Sequence, residues 1–151
     1  MEKKIEHQFV DYGCGFPVLL LNVPMIKVRG KWIPDINYEM LEMSVLLDLC
    51  HKPYKLTGNE LRFIRLYFEM TLQAFAKRFG VQHPTVVKWE KCKNAPTNMT
   101  RGTEKDIRLF VIKELRGKKY VGDLYIELEQ AFLGVSQDEI LPQIDIEKLA
   151  C

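Results

Sequence analysis

The sequence predicts a mainly α fold: a helix-turn-helix domain behind a small β-rich N-terminal region and one helix. Three observations predict it. Residues Met70 to Cys92, MTLQAFAKRFGVQHPTVVKWEKC, have the spacing of two short helices about a tight turn. Helical periods and N-cap signals recur from Asn37 to Phe132. Basic charge is concentrated on the segment that holds the motif.

Within the motif, Phe75, Ala76 and Phe79 form the inner face of the first helix. Gly80 supplies the backbone freedom for the turn, and Val81 fills the gap between the helices. Val86 and Trp89, three apart, face the shared core. Gln82, His83, Thr85 and Lys88 then point outward, all able to hydrogen-bond, and such a helix reads base edges with its N-terminal residues. The plainer reading is an ordinary helical hairpin.

The elements before the motif follow from local rules. Residues 1–8 are polar and expected to be loose. Phe9-Val10, Val18 to Val23 and Met25 to Val28 lean to β structure, interrupted at Gly13, Gly15 and Pro17 and again at Asn22 and Pro24. Arg29-Gly30-Lys31 reads as a turn and Trp32-Ile33 as a short return strand, with Pro24 at an edge or bulge. Asn37 to Cys50 is helical by period through Leu41, Val45 and Leu49. Thr57-Gly58-Asn59-Glu60 is a capping box that opens a helix to Phe68, and Thr71 caps the first helix of the motif.

After the motif, Lys91 to Thr97 is a basic, turn-rich loop. Thr103 is expected to cap a helix carrying Ile107, Phe110, Val111 and Leu115, ended by Gly117. Tyr120 to Phe132 reads as a last amphipathic helix, and the acidic tail from Gly134 as a segment that folds on a partner. The domains are therefore 1–54, β-rich with one helix; 55–133, helix-turn-helix; and 134–151, acidic tail.

The 151 residues carry 22 basic and 20 acidic side chains, a net charge of +2 that hides an asymmetry. Residues 55–119 hold 15 Lys and Arg against 6 Asp and Glu, whereas 120–151 hold 1 against 7. That is the footprint a phosphate backbone selects. No run approaches the ~20 apolar residues of a membrane span, and no apolar leader opens the chain, so a cytoplasmic location is expected. Cys14, Cys50, Cys92 and Cys151 form no paired knuckle, and His7, His51 and His83 are scattered; no metal or other cofactor is expected. Without a nucleophile–base pair or a phosphate loop, no enzyme is expected.

The stretch LTGNELRFIRLYFEMTLQAFAKRFGVQHPTVVKWEK resembles the five-helix lambda-repressor-like, or XRE-type, helix-turn-helix domain. The marks are Leu56-Thr57-Gly58, Leu61-Arg62-Phe63, Phe75-Ala76, Gly80-Val81 and Thr85 with Lys88-Trp89-Glu90. With HQFVDYGCGFPVLLLNVPMIKVRG before it, the order is similar to antitoxins of type II toxin–antitoxin modules of the MqsA (YgiT-type)/HigA-like group, over residues 7 to 116. The paired zinc cysteines of that group are absent. Leu72 stands where the family usually has Gln, with Gln73 one place on, and Pro84 occupies the front of the recognition helix.

The resemblance implies a sequence-specific transcriptional repressor that binds duplex DNA as a homodimer on a pseudo-palindromic operator and neutralises a cognate toxin. A stand-alone or phage-type repressor is the alternative, and a protein adaptor using the same helices a further one. Gln82, His83, Thr85 and Lys88 are the expected base contacts, and Thr71, Gln73, Lys91, Lys93 and Asn94 the expected phosphate contacts. Trp89 and Glu90 are expected to be structural, and Tyr120 to Phe132 to be the dimer contact, with the N-terminal arm as the alternative interface and candidate toxin-binding surface.

Overall fold

The computed structural model describes residues 1–116 and 141–149. The chain divides into two compact units, Met1–Asp48 with Ile140–Cys151, and Leu49–Glu139.

The first unit is built on a sheet. β1 (Lys3–Asp11) pairs antiparallel with β2 (Val18–Val28), and β2 pairs antiparallel with β3 (Lys31–Pro34). β4 (Gln143–Asp145) runs parallel to Leu19–Leu21 of β2. Arg29 and Gly30, both with positive φ (50° and 78°), make the two-residue hairpin turn between β2 and β3. β2 is one strand through Asn22, whose φ of 55° reverses which residues face the core: Val18 and Leu20 are buried before it, Val23 and Met25 after it. Asn accepts this left-handed conformation better than most residues, and its Nδ2 donates to Asp145 Oδ1 at 3.1 Å. Pro24 therefore lies inside β2 and not at a strand break; its carbonyl accepts from the Asp35 N–H at 2.8 Å. Leu41, Val45 and Leu46 of α1 (Tyr38–His51) are buried in this unit, as are Ile144 and Ile146.

The second unit is helical: α2 (Gly58–Tyr67), α3 (Leu72–Arg78), α4 (His83–Glu90) and α5 (Arg101–Arg116). Its core gathers Leu61, Ile64, Phe75, Val86, Trp89, Ile107 and Val111. Phe79 packs against Phe75 with tilted rings (4.7 Å between ring centres) and meets Phe110 edge-on (5.5 Å), which also meets Phe68 (5.2 Å).

The expectation of a mainly α chain organised as a five-helix lambda-repressor-like domain is overturned. The described residues form a four-stranded mixed sheet as well as five helices. Residues 3–8, read as loose, are most of β1, and residues 143–145 of the acidic tail are β4. Both owe their order to pairing with β2, the next strand for residues 3–8 and a strand over 100 residues away for 143–145, and not to a local period. The cap of α5 also moves: Thr100 Oγ1 accepts from the Thr103 N–H at 3.2 Å, so the helix starts one turn's length before the expected Thr103 cap. The expected helix Tyr120 to Phe132 lies outside the described residues.

Candidate nucleic-acid interface

Two caps set the starts of α2 and α3. Thr57 Oγ1 accepts from Glu60 N (3.2 Å) while Glu60 Oε1 accepts from Thr57 N (2.9 Å), a complete capping box. Thr71 Oγ1 accepts from Ala74 N at 3.0 Å and starts α3. Gly80, at φ +70°, makes the turn out of α3, and the Val81 N–H closes on the Ala76 carbonyl at 3.0 Å. α4 then starts at His83 with Gln82 as its N-cap residue and Pro84 in its first turn. The Gln82 side chain makes no capping bond, which leaves its amide available.

α4 buries Val86 and Trp89. Lys88 points away from that side, Thr85 flanks it, and Gln82 precedes the first turn as the N-cap residue. Gln82 and Lys88 are exposed, and His83 and Thr85 are half-buried. Of the expected phosphate contacts, Thr71, Gln73, Lys91, Lys93 and Asn94 are all exposed. None of the nine candidate residues is buried. They occupy the start of α3, the outer side of α4 and the loop that follows it.

That loop is held by α2. The Asn59 N–H donates to the Lys93 carbonyl at 2.8 Å, the Gly58 N–H to the Ala95 carbonyl at 3.3 Å, and Asn59 Nδ2 to Asn94 Oδ1 at 3.0 Å. Asn94 keeps its own amide N–H groups for another acceptor. Lys93 adopts a positive φ of 53°, which turns the chain back toward α2. Gly58 is the point of closest approach: a Cβ there would meet the Trp89 carbonyl, Lys93 N at 2.7 Å and Glu90 O at 2.9 Å. Arg65 fixes the far end of α4, with Nε and Nη2 on Glu90 at 2.7 and 2.9 Å and Nη1 on the Met70 carbonyl at 2.9 Å.

Some cations of this unit are closed on carboxylates at buried sites and others are not. Lys52 pairs with Glu60 at 2.7 Å, Arg65 with Glu90, and Arg108 with Glu104 at 3.8 Å, all buried or nearly so. Lys77, Lys88, Lys91 and Lys93 are exposed and have no carboxylate partner among the described residues. Four exposed lysines without a carboxylate partner among the described residues therefore lie on α3, α4 and the loop after α4.

Sequence reasoning missed the buried polar cluster that supports α2 and α5. The Arg108 guanidinium donates to the carbonyls of Cys50, Lys52 and Tyr54, and the Leu56 N–H donates to Glu104. Burial pushes the Glu104 carboxyl up against the opposing pull of Arg108, and lowers the Arg108 pKa. Glu104 and Arg108, four apart, look like a surface helix pair; the buried Ile107 and Val111 on the same side were the available signal. Asn59 was missed as well, because only the tertiary contact with Asn94 reveals it. Burial holds the Cys50 thiol up at about 12 and the Cys14 thiol at about 11, with Glu42 and Asp11 adding to the latter, so both are poor nucleophiles at neutral pH.

No family model, curated protein or solved structure matches this chain. Among the described residues no group of His, Cys, Asp and Glu side chains could hold a metal ion, and no helix is long and apolar enough to cross a membrane.

Proposed function

We propose that this protein is a sequence-specific DNA-binding transcriptional repressor that lays α4 in the major groove. One observation carries the reading: α4 buries Val86 and Trp89 and leaves Gln82 at its N-cap and Lys88 exposed with Thr85 half-buried between them, while Lys77, Lys91 and Lys93 are exposed and have no carboxylate partner among the described residues. Gln82, His83, Thr85 and Lys88 contact base edges, Lys88 as a donor to guanine O6 or N7 and Thr85 to a base edge or thymine methyl. Thr71, Gln73, Lys91, Lys93 and Asn94 hold phosphates. A single such helix reads few base pairs, so the protein acts as a homodimer on half-sites about 34 Å apart. In the cytoplasm it serves as the antitoxin of a type II toxin–antitoxin module that represses its own operon. The support for that last step is the resemblance of residues 7 to 116 to the antitoxin group.

Fluorescence anisotropy on the DNA upstream of its own gene, beside random DNA, tests the proposal. Binding at least a hundredfold tighter to upstream DNA, with the preference lost in Thr85→Ala/Lys88→Ala, supports it. Equal binding to both DNAs, or a double variant that keeps its preference, refutes it. Neutralisation of the product of the adjacent gene tests the antitoxin role, and an unneutralised or absent neighbour leaves a stand-alone repressor.

A further inference from the structure

The two faces of the sheet treat their charges differently. Directly opposed residues of an antiparallel pair share a face, as do residues two apart along a strand. Lys4, Met25, Lys27 and Trp32 are thereby on one face, and its lysines are satisfied within the sheet. Lys4 pairs with Glu6 at 2.7 Å and Lys27 with Glu2 at 3.7 Å, and both ammonium groups lie over the Trp32 ring, at 4.6 and 5.8 Å.

The other face has no such closure. The register sets Lys3, Ile26 and Ile33 in one row, Ile5 beside Pro24 in the next, and Val28 beside Lys31 in a third. Ile5 is 60% exposed, Ile33 42% and Val28 36%. Lys3 and Lys31 are exposed and have no carboxylate partner among the described residues. The result is an apolar block with a cation at each end, on a unit that carries none of the nine candidate DNA contacts.

We propose that this face docks an acidic amphipathic helix of a partner protein. Charge selects the partner: Lys3 and Lys31 repel a second copy of the same patch and attract carboxylates. Width selects the form: three strands at about 4.8 Å spacing present roughly 10 Å of apolar surface, the breadth of one helix. The helix lays its apolar stripe on Ile5, Pro24, Ile26, Ile33 and Val28 and sets acidic side chains against the two lysines.

The test uses the full chain and a fluorescein-labelled 18-residue synthetic peptide with leucines at helical spacing flanked by glutamates, beside a version flanked by lysines. Saturable binding of the glutamate peptide supports the proposal. Support also requires at least a tenfold loss in Ile5→Ser/Ile33→Ser and in Lys3→Glu/Lys31→Glu, with upstream-DNA binding and thermal unfolding unchanged in both. These sites are exposed, so both variants fold. No binding, equal binding of the lysine peptide, or full binding by either variant overturns it. So does capture of phosphatidylserine vesicles in place of the peptide.

Discussion

Arg65 and Glu90 lock α2 to the end of α4 through two parallel hydrogen bonds, Nε to Oε2 at 2.7 Å and Nη2 to Oε1 at 2.9 Å. Each side chain is only 11% exposed, so removing one partner strands the other's charge at a nearly closed site. Arg65→Ala or Glu90→Ala is expected to destabilise the helical unit by about 3 kcal/mol, and Arg65→Lys to recover only part, because an ammonium cannot reproduce the planar fork. Urea unfolding of the three variants checks this.

Gly58→Ala tests the approach of α2 to the end of α4. The added Cβ meets backbone atoms of Trp89, Glu90 and Lys93, which cannot rotate away as a side chain would. A loss of about 2–3 kcal/mol is expected, with weaker DNA binding because the Lys91–Asn94 loop shifts with it. Gly102→Ala, in the first turn of α5 with no atom within 4 Å of its Cβ, is the control and gains about 0.5 kcal/mol.

Arg108 stitches the segment around Cys50, Lys52 and Tyr54 to α5 through three backbone carbonyls. Arg108→Ala leaves those carbonyls without their donor and the buried Glu104 without its opposite charge, and is expected to cost about 4 kcal/mol. Arg108→Lys is expected to rescue little, since one ammonium cannot span the carbonyls that the fork reaches. Thermal unfolding reads both.

The Cys50 thiol makes stability fall in alkali. Its pKa rises from 9.0 to about 12 on folding because burial disfavours the thiolate. Below pH 9 both states hold the proton and the group has no pH-dependent effect. Between pH 9 and about 12 only the unfolded state loses it, so stability falls as pH rises, by up to ~1.4 kcal/mol per pH unit. Urea midpoints from pH 8 to 10.5 should fall more steeply in the wild type than in Cys50→Ala, and Cys50 should resist Ellman's reagent until the chain unfolds.

If the loop lysines hold phosphates, they leave a signature in salt. Lys91→Ala and Lys93→Ala are each expected to lower affinity for upstream and random DNA alike, and to reduce the slope of log K against log salt by about 1. Thr85→Ala is expected to change sequence preference with the slope intact. Anisotropy titrations between 50 and 200 mM salt, a range in which such contacts dominate, separate the two.

Local rules were enough wherever the partner of a group lies within a few residues. Thr57 and Glu60, Thr71 and Ala74, and the Gly80 turn are all closed over three to five residues, and each was readable from spacing. So was the inward stripe of Val86 and Trp89. Gln82, His83, Thr85 and Lys88 were read as the residues that this stripe leaves outside, and Thr71, Gln73, Lys91, Lys93 and Asn94 came from the resemblance. Asn59 and the Arg108 cluster were not readable, because their partners lie 35 and more than 50 residues away. Glu104 shows the difficulty: a charged residue four before Arg108 looks solvated until the Leu56 N–H is brought to it.

By itself, then, the sequence determined the Thr57 and Thr71 caps, the Gly80 turn and the basic excess of residues 55–119, because capping, periodicity and net charge depend on neighbours along the chain. Only the tertiary structure decided that residues 3–8 and 143–145 are strands of one sheet with β2, and so that the fold is not mainly α. It also decided which cations are closed on carboxylates and which, like Lys88 and Lys3, have none among the described residues. Sheet hydrogen bonds and buried ion pairs join groups far apart in sequence, and their energies exist only once the chain has brought those groups together.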